Sequence, residues 1–224
     1  MDKIVAIGDI HGSILWKDIV GENKDAMIVF MGDYLDPYGE YDCDEILDNF
    51  TDIINFKCNN RERVILLLGN HDLHYFIETV NISTRYDSRL AKRARFLFND
   101  NNDLFQNAYQ INKIIFTHAG VSQKWFDYDF KGNINYNIAE QLNNPSDGQV
   151  EALYRIGAKR GGDSGCIGGI FWADRSELTD PLHGFTQVVG HNSVNDIKKL
   201  MYFDDNRIIF CDCLKNGKYL KINI

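Results

Sequence analysis

Apolar and polar positions alternate in blocks along the first third of the chain. Three short apolar runs, "KIVAIG" from Lys3, "AMIVFMG" from Ala26 and "RVILLLG" from Arg63, each end in glycine followed by a polar side chain. Runs this short and rich in branched residues read as buried strands. Between the first two, "SILWKDIV" begins with an N-cap serine, Ser13, and predicts a short helix. Between the second and third, "CDEILDNFTDIINFKC" sets Ile46, Leu47, Phe50, Ile53, Ile54 and Phe56 at helical spacing. A β-α-β-α-β order predicts a parallel sheet with helices on its faces. "RYDSRLAKRARFLFND" predicts another helix, basic on one side.

The pattern changes in the second half. "AYQINKIIFTHAG" reads as a strand pair, and "TQVVGHN", "IKKLMYFD", "RIIFCDCL" and "KYLKINI" read as successive strands. The Asn-Gly of "KNGK" predicts a tight hairpin between the last two. Helices are expected near Ile134–Leu142 and Gln149–Ile156, within an otherwise polar, glycine-containing region. The fold class is therefore α/β in layers, an α/β first half meeting a mostly antiparallel second half. The expected architecture is two packed mixed β-sheets flanked by helices. No repeat or linker forces a boundary, so residues 1–224 are expected to form a single domain.

Composition narrows the function. The apolar fraction of 44% is ordinary for a globular core. A net charge of −8 disfavours binding to a nucleic-acid backbone but leaves room for a local basic pocket. On this acidic chain the basic run "RLAKRARF" reads as a solvated helix face. No run approaches the roughly 20 apolar residues of a membrane helix. The start, "MDKIVAIGD", enters a strand at once, without a leader pattern. A soluble, cytoplasmic protein with no membrane partner is expected. The five cysteines are odd in number and irregular in spacing, which argues against a disulfide framework. Cys211 and Cys213 either bind a soft metal or share one face of a strand, and the periodicity of "RIIFCDCL" favours the strand.

The chemistry sits at the strand ends. The first three runs lead into Asp9 and His11, then Asp33 and Asp36, then Asn70, His71 and Asp72. In the second half "KIIFTHAG" ends in His118 and "TQVVGHN" in His191. Ligands bind beyond the carboxyl ends of parallel strands, so side-by-side strands would bring these groups together. Carboxylates, an amide oxygen and imidazoles suit divalent Mn, Fe or Zn. Asp72 either joins the site or caps the following helix. His74 and His183 read as packing or surface histidines. Tyr34, Tyr38 and Tyr41 either line a cleft or pack a loop.

"GDIHG", "GDYLD", "GNHD", "THAG" and "GHN" resemble, in order, the five signature segments of the calcineurin-like metallophosphoesterases. The nearest likeness is to the phosphoprotein-phosphatase branch, including the symmetrical diadenosine tetraphosphatases. The resemblance runs from Asp9 to His191 and implies a dinuclear metal-dependent phosphatase. It implies that Asp9 and His11 bind one metal, that Asp33 bridges both, and that Asn70, His118 and His191 complete the second site. It further implies attack by a metal-bridging hydroxide. His71 would be the general acid, held as imidazolium by Asp36. Two divalent ions are the implied cofactors, Mn foremost in vitro, with Fe or Zn as alternatives. The implied partner is a phosphorylated substrate, either a Ser/Thr phosphoprotein or a small ester. A dinucleoside polyphosphate is the alternative. A catalytically silent scaffold would have lost a ligand or the acid, and none is lost. One departure stands out: the branch follows its second aspartate with a phosphate-binding arginine, where this chain has Pro37 and Tyr38. "GGIFWADRSEL" resembles a later family segment and makes Arg175 the candidate phosphate clamp, ahead of Arg155 and Arg160. The competing reading of Arg175 is a surface salt bridge near Asp174 or Glu177.

Overall fold

The computed structural model describes residues 2–77, 84–201 and 207–224. The three apolar runs become strands β1 (Lys3–Ile7), β2 (Met27–Phe30) and β3 (Val64–Leu67). They pair in parallel, with Ile7 beside Phe30 and Phe30 beside Leu66, so their carboxyl ends share one edge. Strand β4 (Phe105–Gln106) pairs in parallel with β3. The C-terminal strand β10 (Leu220–Asn223) runs antiparallel to β1 and completes the first mixed sheet.

Four helices connect these strands: α1 (Trp16–Glu22), α2 (Cys43–Asn59), α3 (Asn70–Phe76) and α4 (Ser88–Asp100). Helix α2 starts where Asp42 accepts the amides of Asp44 and Glu45, and it buries Ile46, Leu47, Phe50, Ile53 and Ile54. Phe50 stacks on Tyr34 and meets Phe98 and Phe105, forming an aromatic core under the strand ends. Helix α1 begins later than the serine signal suggests. Ser13 uses its hydroxyl to accept the Leu15 amide at 3.3 Å, outside the helix. These elements make up one compact unit, Met1–Gln106 with Cys213–Ile224; the other unit is Asn107–Asp212.

In the second unit β5 (Ala108–Ile111) and β6 (Ile114–Thr117) form the expected antiparallel pair. With β7 (Thr186–Val189), β8 (Lys198–Met201) and β9 (Arg207–Phe210) they make a second mixed sheet, ordered β5-β6-β7-β9-β8. The expected antiparallel character is confined to its two edges. Strands β6, β7 and β9 are parallel, because the long connection between β6 and β7 is a crossover. It carries α5 (Ile138–Asn143) and α6 (Asp147–Tyr154), both close to where helices were expected. The expected Asn-Gly hairpin does not form. Leu214–Asn216 is a 3-10 turn closed by left-handed Gly217 (φ 68°), and β10 pairs with β1 rather than β9. Residues 202–204 of the "IKKLMYFD" run lie outside the described residues. Cys211 and Cys213 are buried just past β9, with the Cys211 thiol on the Val189 carbonyl at 3.3 Å; they pack and join no metal-ligand group among the described residues. No described helix is long and apolar enough to cross a membrane.

Candidate metal centre

In the first unit the loops after β1 and β2 zip together through their backbones. The His11 amide donates to the Asp33 carbonyl at 2.7 Å and the Gly12 amide to the Tyr34 carbonyl at 3.0 Å. This requires sharp reversals, and His11 (φ 42°), Asp33 (φ 53°) and Asp36 (φ 58°) all adopt left-handed backbone. Such conformations cost of order 1–3 kcal/mol each for side chains with a Cβ and gather at functional sites. Here they turn three chemically useful side chains toward one place. Asp9, His11 and Asp33 offer ligand atoms within 4.8 Å of one another. The His11 ring lies with Nδ1 2.9 Å from the Leu35 carbonyl. A carbonyl only accepts, so Nδ1 carries the proton and the lone pair is on Nε2, 3.6 Å from Asp33 Oδ2. An outer hydrogen bond of this kind fixes the tautomer that ligates a metal. Two carboxylates and one correctly oriented imidazole fit a divalent cation.

The scaffold for Asp33 comes from the start of α3. Asp72 is fully buried and accepts three amides: Gly69 at 2.7 Å, Asp33 at 2.8 Å and Tyr34 at 2.9 Å. It therefore caps α3 and clamps the Asp33 loop at once, joining the two readings left open by the sequence. Burial pushes its carboxyl up to about 7, with the three amide donors opposing the rise. The Asp33 Oδ1 atom accepts the His71 amide at 2.8 Å. Asn70, at the first position of α3, is buried beside this carboxylate's loop.

His71 and Asp36 also come together. Asp36 Oδ2 lies 2.8 Å from His71 Nδ1 and 2.9 Å from His74 Nε2, while Tyr75 donates its hydroxyl to Oδ1 at 2.5 Å. Burial raises the Asp36 carboxyl, but the bonds from His71, His74 and Tyr75 outweigh it and hold it below the ordinary carboxylate value. For His71 burial wins in the other direction. Desolvation lowers the imidazole, the bond to Asp36 raises it, and the Arg85 charge lowers it again, for a net decrease. Before any metal binds, these surroundings shift the ring away from the expected imidazolium and toward its neutral form, with Nδ1 facing Asp36 at 2.8 Å.

Two more residues meet at this point. His74, which the sequence reads as a packing or surface histidine, is buried with Nε2 2.9 Å from Asp36 Oδ2. Arg85 was absorbed into the basic helix, yet it precedes α4 in left-handed backbone (φ 67°). Its guanidinium reaches the Asp36 carbonyl and both site histidines, and it lies 4.0 Å from the Tyr38 ring centroid. The tyrosines separate cleanly. Tyr34 is core, with its hydroxyl on the Leu67 carbonyl, and Tyr41 bonds Asp87, whereas Tyr38 is exposed and edge-on to His11. On α4, Arg89 and Arg93 pair with Asp87 and Asp44.

In the second unit His118 and His191 leave neighbouring parallel strands, whose ends pair Thr117 with Val189. Their rings are 5.1 Å apart, and the Gly190 amide donates to the His118 carbonyl at 2.8 Å. His118 is wholly buried, and His191 has left-handed backbone (φ 57°). Asn192 follows as an organiser. Its Oδ1 accepts the Arg160 guanidinium at 2.6 Å and the Arg175 amide at 3.0 Å. The Arg175 side chain is exposed, Arg160 also pairs with Asp174, and Arg155 pairs with Asp129. His183 is an exposed partner of Asp180.

A sequence profile of the family described as calcineurin-like phosphoesterase matches residues 2–209. Among solved structures, a cold-active protein-tyrosine phosphatase of a psychrophilic Shewanella species aligns with all of this chain and 76% of its own, at 20% identity and a TM-score of 0.60. A protein serine/threonine phosphatase from Saccharomyces cerevisiae aligns with 93% of this chain and 67% of its own, at 14% identity and a TM-score of 0.54. At such identities the likeness is one of fold. No curated protein matches the sequence. The profile takes in nearly the whole chain, strand-end motifs included, and the chain belongs to the calcineurin-like phosphoesterases, metal-dependent hydrolases of phosphate esters.

Proposed function

We propose that this chain is a phosphomonoesterase acting on phosphorylated protein side chains or small phosphate monoesters. In this reading Asp9, His11, Asp33, Asn70, His118 and His191 would hold two divalent metals. The observation that carries the reading is the Asp9–His11–Asp33 group, whose histidine is locked by Leu35 in the ligating tautomer. When bound, the metals neutralise phosphate charge and make a water molecule nucleophilic near neutral pH. Manganese is the proposed metal in vitro, and iron or zinc suits the same donors.

The side chains around the metals then have separate tasks. Asp36 holds the His71 ring through Nδ1 and leaves Nε2 on the Arg85 side, 3.1 Å from Nη2, where it would give a proton to the departing oxygen. A substrate phosphate beside Nε2 offsets the positive charge of Arg85 and so favours the doubly protonated ring that this step requires. Arg175 is a further proposed phosphate contact. The phosphatase names carried by the similar structures favour a phosphoprotein substrate over a dinucleotide. The test is a substrate panel with Mn²⁺: p-nitrophenyl phosphate, phosphoserine and phosphotyrosine peptides, and diadenosine tetraphosphate. The expected ranking by kcat/KM puts a monoester first. A clear preference for diadenosine tetraphosphate would replace this reading with a dinucleoside polyphosphate hydrolase.

A further inference from the structure

We propose that Arg85 binds the phosphoryl group of the substrate in the first unit, an inference that rests on the phosphomonoesterase reading. Four observations point there. First, the guanidinium is half-buried and, among the described residues, lies against no carboxylate; its partners are a carbonyl, two imidazoles and an aromatic ring. A half-buried guanidinium whose nearest described partners are uncharged acceptors can add a charge-assisted bond to an anion. Second, its Nη2 atom is 3.1 Å from His71 Nε2 and 3.4 Å from His11 Nε2. Those are the proposed proton donor and a proposed metal-ligating atom. A phosphoryl oxygen placed between the two imidazoles is within reach of the same N–H.

Third, the guanidinium is held in advance. Nη1 donates to the Asp36 carbonyl at 2.5 Å and the plane rests on Tyr38. Preorganisation of this kind removes the ordering cost that a mobile arginine would pay on binding. It also limits the contact: with Nη1 engaged, the arginine reaches the phosphate through Nη2 rather than as a two-pronged fork. Fourth, the left-handed backbone of Arg85 is the strain expected of a residue placed for function. The segment Asp36–Pro37 has no arginine of its own. Arg85 brings a guanidinium to the Asp36 carbonyl from the residues before α4 instead.

The experiment compares wild type, Arg85→Ala, Arg85→Lys and Arg175→Ala, each loaded with Mn²⁺. Calorimetric titration with inorganic phosphate gives the affinity, metal analysis gives the Mn²⁺ content, and a thermal melt reports folding. Loss of one charge-assisted contact predicts phosphate affinity weaker by about tenfold in Arg85→Ala. Arg85→Lys, which keeps the charge but cannot hold the Asp36 carbonyl and the phosphate together, should fall between the two. Metal content should stay at the wild-type level. With p-nitrophenyl phosphate the loss should appear mainly in KM. Unchanged phosphate affinity in a folded, metal-replete Arg85→Ala protein overturns the inference. A loss seen only in Arg175→Ala does the same. A wild type that takes up Mn²⁺ but binds no phosphate, or that takes up no metal, overturns the phosphomonoesterase reading along with it.

Discussion

Gly69→Ala is expected to strip most of the metal from the protein and to destabilise it by about 1–3 kcal/mol, the usual range for overpacking. The reason is local. A Cβ at Gly69 would overlap the Asp33 carboxylate and come 2.5 Å from the Asp33 amide nitrogen. One of those obstacles is backbone, so it cannot swing aside. The other is the proposed bridging ligand itself. On the facing loop, Gly32 is in left-handed backbone (φ 98°), and a Cβ there would overlap the Gly69 amide. The two glycines let the loops after β2 and β3 touch, which puts Asp33 within reach of the His71 amide. Metal analysis after Mn²⁺ loading, with a thermal melt alongside, checks this. Wild-type metal content in Gly69→Ala would show that the close approach of these loops is not what places Asp33.

Asp36→Asn is expected to lower kcat by about 10² or more, within the range typical of general acid–base catalysis, while leaving metal content unchanged. Asp36 accepts from Tyr75 at Oδ1 and faces the His71 and His74 ring nitrogens with Oδ2, at 2.8 and 2.9 Å. An asparagine has one acceptor and one donor to set against these three. If its NH₂ meets His71 Nδ1, the ring is forced into the opposite tautomer. If its oxygen does, the negative charge that supports the protonated ring is gone. In the second orientation Tyr75 would have to accept at a hydroxyl that already takes the Asp87 amide at 2.9 Å. A buried polar group left unmatched costs about 1–3 kcal/mol, so the melting temperature should fall as well. Steady-state kinetics and metal analysis on the same preparation separate the effects. A kcat close to wild type in Asp36→Asn would remove the Asp36–His71 pair from the chemistry.

Much of this arrangement was legible in the sequence because it is local. Each apolar run ends in glycine and a ligand-type side chain, and parallel strands deliver such ends to one edge. That gave the first sheet and the Asp9–His11–Asp33 group at its edge, whereas the parallel neighbours that carry His118 and His191 lie in a half expected to be mostly antiparallel. What escaped depends on contacts between distant segments. His74 looks like any helical histidine until α3 is turned so that it meets Asp36. Asp72 looks like a helix cap, which it is, but its second task involves amides nearly 40 residues away. Arg85 was hidden by its neighbours. It stands at the head of a basic run in which Arg89 and Arg93 face acidic partners, and its backbone reversal turns it toward the histidines. The Asn-Gly signal failed for the same kind of reason. The turn residues were read correctly as a reversal, but the destination of β10 is decided by its pairing with β1.

The central claim is that Asp33 is a metal ligand of a phosphoester hydrolase. The most direct test measures Mn²⁺-dependent hydrolysis of p-nitrophenyl phosphate by wild type and Asp33→Asn, with the metal content of both determined. Wild-type activity should require Mn²⁺ and be abolished by a chelator. Asp33→Asn should lose both activity and bound metal. Equal activity in the two proteins, or wild-type activity indifferent to metal, would contradict it.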